Sequence, residues 1–251
     1  MSDTFRNGEF RADDWDSYTM STRDPFAELE PPEAEVAIVA DTLAALNDAG
    51  IIQRASYDIA AFAAHREAVR DCFEIPWTAI SPRQERLIWA LNAIHRPARM
   101  VAAGVFCGFT FICNAGAAVG SGAVYDAEDL VGLEITPEEA ERAERNVRRL
   151  SPDGPARVLA EDAVAFVRDY DAPIDLLYLD AAGPETGKGI YLEILEAAYD
   201  RLPEGALVLA HNSVNSAERL SGYLAFVRDP AQMAASVNVI LDNQGLEVSL
   251  R

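Results

Sequence analysis

The chain has 251 residues, half of them hydrophobic, with 41 acidic against 21 basic side chains and a formal net charge of −20. That suits one large α/β domain, or one domain with an N-terminal elaboration, and excludes wholesale disorder. The acidity argues against nucleic acid or anionic membrane as partners, and no run reaches the roughly 18 apolar residues of a membrane span.

The start, Met1-Ser2-Asp3, lacks a basic-then-apolar signal pattern. Cys72, Cys107 and Cys113 form an odd, sparse set without metal-type pairing, so a reduced, cytoplasmic setting is expected. Residues 1–33 hold nine acids against three arginines and end in Pro31-Pro32. They predict a mobile or draped arm, in which Trp15, Tyr18 and Phe26 supply apolar anchors. Helical spacing follows over Glu33–Ala49, stopped by Gly50, then over Ile59–Cys72 and over Pro82–His95, where Ser81 caps and Pro82 opens the first turn. Residues 1–77 are thus expected as arm and helical cap, and 78–251 as the sheet domain.

From there strand and helix alternate. Met100–Ala103, Leu130–Ile135, Ala156–Ala160, Ile174–Leu179 and Ala206–Ala210 are short apolar runs. Helical stretches near Cys107–Ala118, Pro137–Leu150, Asp162–Asp169, Ile190–Leu202 and Ala217–Val227 separate and follow them. Such alternation predicts a parallel sheet covered by helices on both faces. Ser236–Leu241 and Leu246–Leu250 flank Asp242-Asn243-Gln244-Gly245, a hairpin that places an antiparallel strand at the edge.

Gly104-Val105-Phe106-Cys107-Gly108 leaves the first strand of that run, and Glu134 ends the next. Glycines let backbone approach a ligand at the carboxyl edge of a sheet, and a carboxylate after the second strand accepts from both hydroxyls of a ribose. The pairing points to a nucleotide-like ligand.

Several segments in order resemble the class I S-adenosylmethionine (SAM) dependent methyltransferases, in particular the catechol and caffeoyl-CoA O-methyltransferase-like branch. They are Ile80-Ser81-Pro82-Arg83-Gln84, Ala103 to Thr110, Val131-Gly132-Leu133-Glu134-Ile135, Glu161-Asp162-Ala163, Leu177-Tyr178-Leu179-Asp180 and Ala210-His211-Asn212. The resemblance covers about residues 78–251 and implies a Rossmann-like sheet that takes SAM as cosubstrate. It implies Ala103, Gly104, Phe106 and Gly108 beside the methionine moiety, with Thr110 near its carboxylate. Glu134 would hold the ribose, Ile135 would flank the adenine, and Asp162 or Ala163 would meet its edge. Asp180 would accept from substrate or from the SAM amino group.

The departures matter as much. The branch builds a metal site from two aspartates and an asparagine, whereas this chain offers Asp180, His211 and Asn212, a set ill suited to Mg²⁺. Its lysine three residues past the first aspartate is here Gly183, and Lys188, the sole lysine, lies five residues farther on. A metal-independent reaction is therefore expected, with His211 as base or substrate contact and with Asp180 and Asn212 beside it. His65 and His95 are expected to be structural.

Methyl transfer to an oxygen or nitrogen of a small molecule is the leading reading. Attack at another sulfonium carbon stays open beside it: cyclisation to azetidine-2-carboxylate or aminocarboxypropyl transfer would release methylthioadenosine. SAM binding without catalysis is the third reading. The arm is expected to close the substrate side, with Tyr18 near the sulfonium. Among macromolecules only a second copy of the chain is left open as a partner.

Overall fold

A computed structural model describes residues 6–251, so the first five residues, with Asp3, lie outside the described residues. Among the described residues eight strands form one sheet: β1 (Arg6–Arg11), β2 (Arg99–Ala103), β3 (Asp129–Leu133), β4 (Ala156–Leu159), β5 (Leu176–Leu179), β6 (Leu207–His211), β7 (Ala235–Ile240) and β8 (Leu246–Leu250). Their spatial order is β1-β7-β8-β6-β5-β2-β3-β4. Only β8 runs against its neighbours, lying antiparallel to both β6 and β7.

Strand residues alternate between two apolar layers, as a pleated strand requires. Met100 and Ala102 of β2, Leu130 of β3 and Tyr178 of β5 join one layer, where residues of α1 (Pro32–Asp48), α3 (Pro82–His95), α4 (Phe109–Ala115) and α5 (Pro137–Leu150) cover them. Val101, Ala103, Val131 and Leu177 join the other, under α6 (Ala163–Asp169), α7 (Ile190–Ala198) and α8 (Ser221–Val227). Both faces of the central strands are dry, which explains their continuous apolar runs.

The remaining helix, α2 (Ile59–Cys72), starts at Asp58, whose side chain accepts from the Ala61 amide at 2.9 Å. Ser81 caps α3 in the same way, accepting from the Gln84 amide. The Gln84 side chain then donates to Asp242 in the β7–β8 turn, so the start of α3 is pinned to the C-terminal hairpin.

The described part of the predicted arm, residues 6–33, lies on the body and includes a strand that its composition did not announce. Residues Arg6–Arg11 form β1, parallel to β7, and so cover the hairpin edge of the sheet. An uncovered β7 would leave a row of backbone donors and acceptors unpaired, and a six-residue strand is too short to show periodicity in so acidic a segment. Beyond β1 the chain is clamped by Arg83 of α3. Its guanidinium donates to both carboxylate oxygens of Asp14 at 2.7 and 2.9 Å and to both of Glu30 at 2.7 Å. Tyr18 lies beneath, its ring centre 3.7 Å from the guanidinium carbon.

Candidate functional site

At the carboxyl ends of β2, β3 and β5 a cavity of about 500 Å³ opens between the loops, a volume suited to a small organic ligand. Gly104, Phe106, Thr110, Glu134, Ile135, Asp162, Ala163, Asp180 and Asn212 all line it, so nine residues singled out from sequence share one surface.

One end is built from backbone. Gly104 has φ +79°, and a Cβ there would sit 2.4 Å from the Ala181 Cα. Only glycine lets β2 leave the sheet so close to the chain after β5. Phe106 takes the left-handed region at φ 48°, and Gly108 at φ 88° opens α4. That path aims the Phe106 amide at Glu134 Oε2, 2.9 Å away, while the Thr136 amide donates to Oε1 at 2.9 Å. The two bonds fix the Glu134 carboxylate at the cavity edge and leave lone pairs for two further donors. Ile135 beside it is 61% exposed, an apolar surface with no protein cover. Asp162 caps α6 by accepting from the Ala165 amide at 2.8 Å, and its other oxygen makes no hydrogen bond within the capping turn.

The other end is built from charged side chains. After β5, Gly183 and Gly187 exchange two backbone bonds of 2.9 and 3.0 Å, and this tight hairpin carries Lys188 back to Asp180. Lys188 Nζ donates to Asp180 Oδ1 at 2.6 Å and to the Asp180 carbonyl at 2.9 Å. Tyr191 adds a longer bond to Oδ1 at 3.4 Å, and His211 Nδ1 lies 3.3 Å from Oδ2. Burial pushes the Asp180 carboxyl up, but the fields of His211 and Lys188 outweigh it and hold the group below its usual value. Asn212, at φ 68°, donates its side-chain amide to Gln244 at 2.9 Å.

Four expectations need correction. His211 does not face the cavity: its ring is fully buried behind Asp180, because it ends β6 inside the sheet. Ala103 and Gly108 are buried in the loop's base rather than on the cavity wall; the Ala103 carbonyl accepts from the Asp180 amide at 2.8 Å. Tyr18 lies under Arg83, away from any reacting centre. The arm supports the cavity wall from behind instead of lining it: the Thr78 amide donates to the Thr22 carbonyl at 2.8 Å, and Phe26 meets Phe109 edge-on at 5.9 Å.

Sequence reasoning missed Trp77, which is 49% exposed and lies over Phe106 with ring centres 4.8 Å apart. Its position three residues before the Ile80-Ser81-Pro82 segment was the available signal. Cys107 also borders the cavity, but burial pushes its thiol up to about 11, so it is not a thiolate nucleophile near neutral pH.

The donor set of Asp180, His211 and Asn212 does not fit a divalent cation. The Asp180 carboxylate already holds an ammonium, the imidazole sits behind it, and the Asn212 amide is bonded to Gln244. Among the described residues no group of three or more His, Cys, Asp or Glu side chains is arranged to hold a metal, and no helix is long and apolar enough to cross a membrane.

Residues 101–213 match a protein family described as a methyltransferase domain. No curated protein matches the chain. Among solved structures the fold is similar to SAH-bound methyltransferase PaMTH1 from Podospora anserina, at 15% identity and TM-score 0.59, covering 88% of this chain and 98% of that one. It is also similar to an O-methyltransferase from Bacillus cereus in complex with SAH, at 18% identity and TM-score 0.55, covering 84% and 97%. A third is the O-methyltransferase TomG from Streptomyces achromogenes, involved in tomaymycin synthesis and solved with SAM, at 20% identity and TM-score 0.54, covering 78% and 90%.

Proposed function

We propose that the protein, whose residues 101–213 match a family described as a methyltransferase domain, transfers the methyl group of SAM to an oxygen or nitrogen of a small molecule without a divalent metal. The observation that carries the reading is the single cavity that joins the Glu134 carboxylate to the Asp180–Lys188 pair. A nucleoside at one end and an acceptor at the other would then meet inside it.

Glu134 receives the ribose hydroxyls on the lone pairs that Phe106 and Thr136 leave free. Ile135 covers the adenine, and Asp162 with the Ala163 amide meets its edge. Gly104, Phe106 and Thr110 flank the methionine part. Trp77, over Phe106, offers the acceptor a flat apolar wall. When bound, SAM supplies an electrophilic methyl carbon and is left as S-adenosylhomocysteine. Positioning is then the main contribution of the protein. For a hydroxyl acceptor the proton leaves to water at the Asp180 end of the cavity, where the carboxylate orients the hydroxyl and His211 behind it holds the carboxylate in place. Asn212 holds the turn after β6 in place.

The test is to incubate the protein with SAM alone and with a panel of phenols and amines, identifying the nucleoside product by mass spectrometry. S-adenosylhomocysteine that forms only with an acceptor, at a rate unchanged by EDTA, supports the reading. Methylthioadenosine from SAM alone would replace it with attack at another sulfonium carbon. Turnover lost on chelation and restored by Mg²⁺ would overturn metal independence.

A further inference from the structure

We propose that the Lys188 ammonium is the built-in cation of this site: it fills the place beside Asp180 that a divalent metal would need, and its remaining N–H holds the acceptor. The acceptor half rests on the methyl-transfer reading above, whereas the exclusion of a metal does not.

The placement is specific. Lys188 is the only lysine among 21 basic side chains, and it lies eight residues after the aspartate it serves. The Gly183–Gly187 bridge returns it. A Cβ at Gly183 would meet Thr186 Oγ1 at 2.6 Å, and Gly187 sits at φ +54°, a conformation that favours glycine. The ammonium then makes two bonds to one residue, the side chain and the carbonyl of Asp180. An ammonium has a third N–H, and the Lys188 side chain borders the cavity at 18% exposure.

The same contacts exclude a metal. Asp180 Oδ1 is taken by Lys188 and Tyr191, and Oδ2 faces His211. A divalent ion would need those oxygens while sitting next to a positive charge. The pair brings its own positive charge into a protein whose net charge is −20, and that charge can stabilise an acceptor oxygen as it loses its proton.

The experiment compares wild type with Lys188→Met, which keeps an unbranched side chain one atom shorter and removes the charge. Free Mn²⁺ is followed by electron paramagnetic resonance, SAM affinity by calorimetry, and turnover with the best acceptor from the panel. Wild type should leave millimolar Mn²⁺ free. Lys188→Met should bind it, and adding Asp180→Asn should abolish that binding again. Turnover of Lys188→Met should fall about 100-fold at unchanged SAM affinity. Equal Mn²⁺ binding by wild type and variant would overturn the exclusion. Full turnover in the variant would make Lys188 a loop anchor only. Failure of wild type to bind SAM would sink the methyl-transfer reading and leave the Mn²⁺ comparison intact.

Discussion

The two ends of the cavity are made in opposite ways. At the Glu134 end, main-chain amides from Phe106 and Thr136 fix a single carboxylate, and glycines set the path of the chain. At the Asp180 end, a cation, a carboxylate and an imidazole converge from three elements: the loop after β5, the hairpin before α7 and the last residue of β6. The first end depends on backbone geometry, which tolerates almost no change at a few positions. The second depends on charge balance, which single substitutions can shift without unfolding the sheet. Binding and turnover should therefore separate between them.

The largest effect is expected from Gly104→Ala. The new Cβ would lie 2.4 Å from both Cα and N of Ala181, backbone atoms that cannot step aside, at φ +79°. Loss of more than about 3 kcal/mol of stability is expected in urea unfolding. Gly205→Ala is the control, with φ +89° but nothing within 4 Å; strain alone should cost about 1 kcal/mol. Equal losses would show that close approach at Gly104 is unimportant.

Next come substitutions that split the two ends. Glu134→Ala should weaken SAM binding by about 1–3 kcal/mol in calorimetry, since ribose hydroxyls lose a charged acceptor. Asp180→Asn should weaken SAM binding less than that and reduce turnover more. If both variants damage affinity equally and spare turnover, the division between binding end and reacting end is wrong.

That division also marks what could be read from sequence. Ile59–Cys72, Pro82–His95 and Pro137–Leu150 are legible to the residue, because apolar spacing and a cap or an N1 proline act locally. Gly104, Glu134 and Asp162 are legible because a turn between strand and helix has few solutions. Lys188 was not, since its partnership with Asp180 depends on a hairpin closed by two glycines rather than on spacing. His211 was placed at the right strand end, but its direction depends on a one-residue choice of sheet face. Strand β1 was hidden because its pairing with β7 is parallel and distant in sequence, leaving no local turn to announce it. Trp77 was missed because its place comes from a tilted ring contact with Phe106, 29 positions away.

Acid offers the finest way to separate the ends, through a residue in neither. His65 of α2 is buried with both ring nitrogens unpartnered; its ring fills the space beside Gly116, at the end of α4, and its Cβ lies against Gly122. Burial, helped by the charge of Arg66, lowers its pKa from 6.5 to about 3. The unfolded chain therefore takes up a proton below pH 6.5 that the folded chain refuses. Stability from this group is flat above that pH and falls as pH drops from 6.5 towards 3. The slope approaches about 1.4 kcal/mol per pH unit, so the loss at pH 5.5 should be about 1.4 kcal/mol. Thermal or urea unfolding of wild type and His65→Leu across pH 7.5 to 5 measures it: the stability difference between them should change with pH by that amount. SAM affinity should stay constant over the same range, because the folded chain keeps His65 neutral. The Asp180 carboxyl, held below its ordinary value, stays ionised throughout. A pH-independent difference would show that His65 gains its proton while folded, and that the space around it is less closed than the two glycines make it.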